Sequence, residues 1–349
     1  MKLLIVTQKA DSSDPILGFF HRWLTVFSSH VEQLTVVAQR VGKFSLSPNV
    51  SVVSLGKEQG RARWLQIIRF WWLQWRLRGQ YDAVLVHMTP VWVILGWPVW
   101  FLLRKRPYLW YETRRGSRRL SLALFFVRKV FCATVQGLPA PHRKQVVTGH
   151  GIDTDNFRPD FSRRESGLIV AVGRITRSKR YDIILRAFAA LPQTYRLQIA
   201  GGMITRADEA EWSMLQSLIR ELKIFGRVTV RWVDPGEMPS LLQHAELLLH
   251  ACVGGLDKAV LDAMACGCPV VTSSSSAQEI LPESCRATDE SLATVAQRIL
   301  ALTPSDRSAL AQELRRRVTA DHSLPKLIEK LVEEMMEGRE KAISSSCIR

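Results

Sequence analysis

The chain has little of what staples a fold from outside. Its six cysteines lie at 132, 252, 266, 268, 285 and 347. None forms a Cys-x-x-Cys pair and no run of histidines accompanies them, so a zinc module or disulfide framework is not expected. Cys347 stands third from the end, which misses the prenylation spacing. The opening "MKLLIVT" passes to polar residues after one short strand, unlike a secretory leader. The uncharged run Val91–Leu103 covers 13 residues and is broken by Gly96 and Pro98; a span needs about 20. There is no Gly-x-Gly-x-x-Gly fingerprint, which argues against a nicotinamide dehydrogenase. These absences lead to the expectation of a reduced, cytosolic protein.

The first half is also short of acid. Residues 1–150 hold 22 Lys and Arg against 6 Asp and Glu, whereas residues 151–349 hold 26 of each, so the whole +16 charge sits in the first part. That part also carries nine of the eleven tryptophans. Two halves with such different surfaces read as two domains facing different partners. A basic, Trp-rich domain suits either nucleic acid or an anionic membrane surface. The basic residues alternate with apolar runs and no nucleic-acid motif is present, which favours the membrane and leaves nucleic acid out.

At 349 residues, 47% of them hydrophobic, both halves can bury a core. Short β-rich runs alternate with amphipathic stretches, the pattern of parallel α/β layers. The expected strands are 2–7, 33–38, 50–54, 82–87, 108–111 and 130–133, then 168–172, 196–200, 228–233, 246–250 and 269–272. The polar stretch near 153–166 marks a linker, giving domains 1–160 and 161–322. A final helix from Ser323, with Pro325 in its first turn, carries an apolar stripe of Leu327, Ile328, Leu331, Val332 and Met335 and is expected to pack back on the first domain. In "RARWLQIIRFWWLQWRLR", Trp64, Ile68, Trp71, Trp72 and Trp75 share one helical face and Phe70, Leu73 and Leu77 the opposite one. A helix covering a sheet needs one apolar face; the second is either further core or a membrane-interface face edged by arginine.

Three strand ends of the second domain carry polar chemistry. "VAVGRITRSKR" places Arg174 and Lys179 after a strand ending at Gly173, where two cations can neutralise a diphosphate or simply stand in solvent. "LQIAGG" places Gly201 and Gly202 after another, where bare backbone can approach an anion or make a tight turn. Gly254 and Gly255 then precede "LDKAVLDAMACGCPVV", an apolar helix with Asp262 in its middle. Asp262 either pairs with Lys258 one turn earlier or accepts hydrogen bonds from ribose hydroxyls. Cations, glycine backbone and a carboxylate together fit a nucleoside-diphosphate site.

These segments, with Glu279 beyond them, resemble the donor domain of the family-4 glycosyltransferases, retaining enzymes of the GT-B architecture. "GHGIDTDNFRP" (149–159) resembles the family's interdomain segment, and "MKLLIVTQKADSSDPILGFFHRW" its first strand and glycine-bearing loop. The resemblance implies two Rossmann-like, doubly wound α/β domains facing a central cleft. It implies a nucleoside-diphosphate sugar donor, with UDP or GDP as the nucleotide, held by the second domain. The first domain would carry a glycan or lipid-linked acceptor. No cofactor or metal is required. Arg174 and Lys179 would hold the diphosphate and stabilise the leaving nucleotide. Asp262 takes the place of the ribose-binding glutamate, supported by Lys258, and Gly173, Gly201, Gly202, Gly255 and Leu256 fall in the donor-binding segments. Gly18 would let first-domain backbone approach the donor phosphates.

The departures matter as much. Gly254 stands where the family has a sugar-facing glutamate, a role Asp257 and Lys258 would share. After the fifth strand, "LWYETRRGS" offers Glu112 and Thr113 where many members have a histidine, and His87 on the preceding strand is the nearest substitute. "DTD" at 153–155 matches the Asp-x-Asp metal motif of another architecture but lies in the interdomain segment, where an aspartate is expected to cap a helix. Besides a hexosyltransferase at the cytosolic face of a membrane, acting in polysaccharide or glycolipid synthesis, two other readings stand: a silent nucleotide- or membrane-binding protein, and a sugar-nucleotide epimerase.

Overall fold

Alternating side chains in the first strand set the layers of the first unit. In β1 (Lys2–Ala10), Leu3 and Ile5 face one core and Leu4 and Val6 another, all fully buried. A strand buried on both faces needs helices above and below it, the condition of a parallel sheet. The chain continues through α1 (Phe19–His30), β2 (Gln33–Val41), β3 (Val50–Ser54), α2 (Arg63–Arg76), β4 (Ala83–His87), α3 (Pro90–Leu102), β5 (Arg106–Trp110), α4 (Arg118–Phe126), β6 (Val130–Cys132) and β7 (Gln145–Val147). The seven strands pair in parallel in the order β3-β2-β1-β4-β5-β6-β7. Phe20, Trp23 and Phe27 of α1 fill the core on one face. Phe70 and Leu73 of α2, Val93 and Trp100 of α3 and Leu120 of α4 fill the other.

The second unit repeats the plan. Its elements are β8 (Leu168–Val172), α5 (Tyr181–Ala189), β9 (Arg196–Ala200), α6 (Arg206–Glu221), β10 (Val228–Arg231), α7 (Met238–His244), β11 (Leu247–His250), α8 (Lys258–Ala265), β12 (Val270–Thr272), α9 (Ser275–Gln278), α10 (Leu292–Leu300) and α11 (Pro304–Asp321). The sheet order is β10-β9-β8-β11-β12, again all parallel. Both units are therefore Rossmann-like α/β domains. Each reverses strand order once: β1 pairs with both β2 and β4, and β8 with both β9 and β11. Crevices beyond the carboxyl ends of strands at such reversals are where open α/β sheets hold ligands.

This computed structural model describes residues 1–14, 16–114 and 116–346, with side chains through 337; Cys347 and the tail lie outside them. The first unit comprises Met1–Gly151 and the chain from Leu324, the second Ile152–Ser323. The first break falls ahead of residue 160 because 152–160 is tied to the second unit. Ile152 N–H donates to His322 O at 2.7 Å, Phe157 packs into that core, and Arg315 donates to the carbonyls of Thr154 and Phe157. The last helix, α12 (Leu324–Ser346), lays Leu327, Ile328, Leu331, Val332 and Met335 into the first unit's core beside α1.

Candidate functional site

At the end of β8 the chain makes a tight exit. Gly173 has φ +133°, and a Cβ on it would overlap the Lys179 Cε and Nζ atoms. A 3₁₀ turn, Arg177–Lys179, folds the lysine back over the strand end, and the buried Tyr181 phenol donates to Gly173 O at 2.6 Å. Arg174 stays exposed, and its positive field reaches both Lys179 and Asp208. The glycine pair after β9 serves packing first. A Cβ on Gly201 would overlap the Gly173 carbonyl oxygen, and its N–H already donates to Arg231 O at 3.0 Å. Gly202 O takes the Ile175 N–H at 3.0 Å, so the two loops are stitched together.

Across the strand reversal, the loop after β11 supplies the partner for Lys179. Asp257 begins α8, its Oδ1 accepting the Ala259 N–H at 3.3 Å. Its Oδ2 takes an ion pair from Lys179 Nζ and lies 3.2 Å from His250 Nε2. His250 Nδ1 in turn lies 2.8 Å from Thr272 Oγ1. Burial would push the Asp257 carboxyl up, but the adjacent ammonium and imidazole outweigh it and hold the group far below the usual carboxylate range. For Lys179, burial would favour the neutral amine, and the Asp257 charge reverses that and raises the pKa. One carboxylate thus fixes a buried cation at the reversal between β8 and β11.

Asp262 is buried one turn into α8, and both of its oxygens accept from Lys258 Nζ, at 2.6 and 2.8 Å. Its pKa is raised because burial outweighs that pairing. Lys258 also lies over the Phe157 ring, 4.8 Å from its centroid. Gly254 has φ +140° and open space where a side chain would project. A glutamate there would meet no steric neighbour, but the backbone conformation would strain it. Gly255 and the buried Leu256 complete the loop.

The first-unit candidates are tied into their own loops and core. Gly18 closes the loop after β1: its N–H donates to Asp14 O at 2.9 Å, and a Cβ would crowd that oxygen at 2.5 Å. His87, only 2% exposed, stacks on Phe20 with ring centroids 4.1 Å apart and is flanked by Trp23 and Trp110. Burial, then the nearby His150, lowers its pKa to about 3. It is a neutral core imidazole spanning the β1–β4 reversal, with Nδ1 3.5 Å from Thr7 Oγ1. Glu112 takes the Ala133 N–H at 2.7 Å, so its carboxylate anchors the loop after β6, while Thr113 N–H donates to Gly137 O at 3.0 Å. The Asp153–Asp155 segment enters a turn and caps no helix; the next one, a 3₁₀ turn at Phe161–Arg163, has Asp160 at its N-cap.

Sequence reasoning passed over His250 and kept Cys252 apart from any histidine. In space His250, Cys252 and Asp257 converge, with donor atoms within 4.8 Å of one another. The spacing 250-252-257 was the available signal; a strand end followed by a loop returning to a helix start brings such residues together.

Residues 166–319 match the family model described as glycosyl transferases group 1. A stretch of 134 residues is 34% identical to the D-inositol 3-phosphate glycosyltransferase of Mycobacterium leprae, covering 35% of this chain and 30% of that protein. The match thus spans under a third of the curated relative. Over nearly the whole chain the fold is similar to that of Anabaena HepE in complex with UDP (TM-score 0.74, 15% identity, 97% of this chain and 100% of that one). It is also similar to that of sucrose-phosphate synthase from Thermosynechococcus elongatus (TM-score 0.73, 17% identity, 99% and 100%). At these identities the structures establish the fold alone: two Rossmann-like domains, as in glycosyltransferases of the GT-B architecture.

Proposed function

We propose that the chain is a retaining, family-4-type glycosyltransferase that moves a hexose from a nucleoside-diphosphate sugar to a glycan or lipid-linked acceptor. The observation that carries the reading is the Lys179–Asp257 pair at the β8–β11 reversal, inside the segment that matches glycosyl transferases group 1. Lys179, aimed by Asp257, turns its remaining N–H donors to the incoming diphosphate, and exposed Arg174 adds the second cation. Charge builds on the departing nucleotide as the glycosidic bond breaks, and two fixed cations stabilise it there. Asp262, released by Lys258, accepts from the ribose. UDP is the first nucleotide to test, because HepE has been solved with UDP and with UDP-glucose.

Calorimetric titration with UDP, GDP and ADP tests the donor site. Saturable binding of one nucleotide, weakened at least about tenfold in Arg174→Ala and in Lys179→Ala, is expected. No binding by any of them would sink the reading. Transfer then follows by NMR of the product anomer, where inversion would remove the retaining assignment. The open position at Gly254 and the sealed His87 favour one second reading, a domain that binds nucleotide without transferring sugar. Tight binding with no product from any acceptor would select it.

The acceptor side is proposed to work at an anionic membrane, on the cytosolic face. No helix among the described residues is long and apolar enough to cross one. On α2, however, Trp64, Ile68, Trp71, Trp72 and Trp75 are exposed, edged by exposed Arg61, Arg63, Arg76 and Arg78. Arg76 stacks over Trp72 at 5.0 Å. Arg69 is excluded from the charge test because its Nε donates to Ser54 O at 2.8 Å. Arg63→Glu with Arg76→Glu should cut co-sedimentation with anionic vesicles and leave neutral vesicles unaffected; equal binding to both would remove the membrane from the proposal.

A further inference from the structure

The side chains beside the Lys179 ammonium offer a second chemistry. His250 Nε2, Cys252 Sγ and an Asp257 oxygen all lie within 4.8 Å of one another. Imidazole, thiol and carboxylate are the donors that zinc-class ions take. Around such an ion the donors stand about 3.3–3.7 Å apart, since its bonds are about 2.0–2.3 Å long. His250 Nε2 and Asp257 Oδ2 already stand at 3.2 Å, so the main adjustment is an inward swing of Cys252.

Two of the three donors are also held from behind. His250 Nδ1 is 2.8 Å from Thr272 Oγ1, which itself takes the Ser274 N–H at 3.0 Å. The other Asp257 oxygen takes the Ala259 N–H. Outer contacts of this kind fix the tautomer and orientation of a ligating histidine. Cys252 is half-buried on a loop, whereas Cys132, Cys266, Cys268 and Cys285 are buried.

We propose that His250, Cys252 and Asp257 form a site for a thiophilic divalent cation of the zinc class, and that this ion and the Lys179 ammonium are alternative occupants of one carboxylate. The charges balance. The dication meets one carboxylate and one thiolate, the Cys252 proton goes to solvent, and Lys179 turns away from Asp257 as a solvated cation. Water takes the fourth position. Binding is what ionises the half-buried Cys252 thiol, since a thiolate is the ligand such an ion takes. The ion is an inhibitor and is not needed for transfer: it strips Lys179 of the partner that aims it. That consequence rests on the reading of Lys179 as the diphosphate ligand; the binding does not.

The test uses cobalt(II) as a spectroscopic stand-in, titrated into the tag-free full chain carrying Cys347→Ser. One ion per chain is expected, with tetrahedral d–d bands and a thiolate-to-cobalt charge-transfer band. Cys252→Ser should abolish the charge-transfer band, and His250→Gln should weaken binding about tenfold or more. Lys179→Met should tighten it about tenfold, because a competing cation is gone. Thermal melts establish that each variant is folded. No charge-transfer band in the parent, a band that survives Cys252→Ser, or no tightening in folded Lys179→Met overturns the site. In a second arm, zinc should lower UDP affinity in the parent and not in Cys252→Ser. Cobalt binding as described with UDP affinity unmoved by zinc would leave the site standing and overturn its inhibitory role. Cobalt binding with no UDP binding at all would overturn the donor-site reading instead.

Discussion

Lys179 and Asp257 depend on each other at the scale of single residues. Both side chains are mostly buried, at 18% and 14% exposure, so removing one leaves the other's charge poorly compensated. Lys179→Ala should lower stability at neutral pH by about 3 kcal/mol, the low end for a broken buried pair because His250 remains as a partner. Adding Asp257→Asn should restore part of that loss in urea unfolding; a double variant no more stable than Lys179→Ala would show that the charge left behind is not the cost. The pH window follows from the two shifts. Asp257, with its pKa lowered on folding, stabilises above the unfolded carboxylate range and loses that contribution as pH falls through the folded value. Lys179, with its pKa raised, stabilises below the unfolded lysine range and loses it as pH rises through the folded value. The pair therefore acts across the whole neutral range. His87 also loses stability in acid, in a window that starts nearer neutrality. Its folded pKa of about 3 lies below the ordinary value of 6.5, so the unfolded chain takes up the proton first and stability falls as pH drops below about 6.5. Between pH 7 and 4.5, His87→Phe should lose about 2–3 kcal/mol less than the parent. Equal losses would mean the imidazole titrates where it sits.

At the scale of elements, α2 shows what the sequence could and could not decide. Its two apolar faces were legible from helical spacing, but which one met the sheet was not, because periodicity gives faces without giving orientation. In the structure Phe70, Leu73 and Leu77 are buried and the tryptophan face is out. Phe70 packs between Trp92 and Trp100, at 4.7 and 6.1 Å between centroids. Phe70→Ala should cost about 3–5 kcal/mol in stability, while Trp72→Ala should cost under about 1 kcal/mol and weaken binding to anionic vesicles. The reverse ranking would mean that the tryptophan face is structural. The strands were more legible. Runs 50–54, 168–172 and 196–200 stand where alternation and β-branched residues put them, whereas β7 was missed because Gln145–Val147 is too short to carry a period. Gly201 was legible as a glycine position and not as a reason: its bare Cα is demanded by the Gly173 carbonyl of the neighbouring strand end.

At the scale of the molecule, the hub of the candidate site joins positions 78 residues apart in the chain. The individual residues could be read from the sequence as a cation, a glycine pair and a carboxylate. Their pairing could not, because it is made by parallel crossovers that bring the ends of β8 and β11 side by side. Thus the contact of Lys179 with Asp257 was out of reach of the sequence, whereas the Lys258–Asp262 pair, one helical turn apart, was legible from spacing. The last helix poses the same long-range problem for stability. α12 follows the whole second unit in sequence yet completes the core of the first, with Leu331 fully buried there. Leu331→Ala should therefore cost about 2–5 kcal/mol and charge it to the first unit alone. Nine of the eleven tryptophans lie in residues 1–150, so indole fluorescence reports that unit. Its thermal transition should move to lower temperature, and the UDP binding proposed for the second unit, measured well below that transition, should be unchanged. A fluorescence transition that stays in place would mean α12 contributes little to the first unit's core, and loss of UDP binding in the folded variant would mean the helix supports the second unit as well.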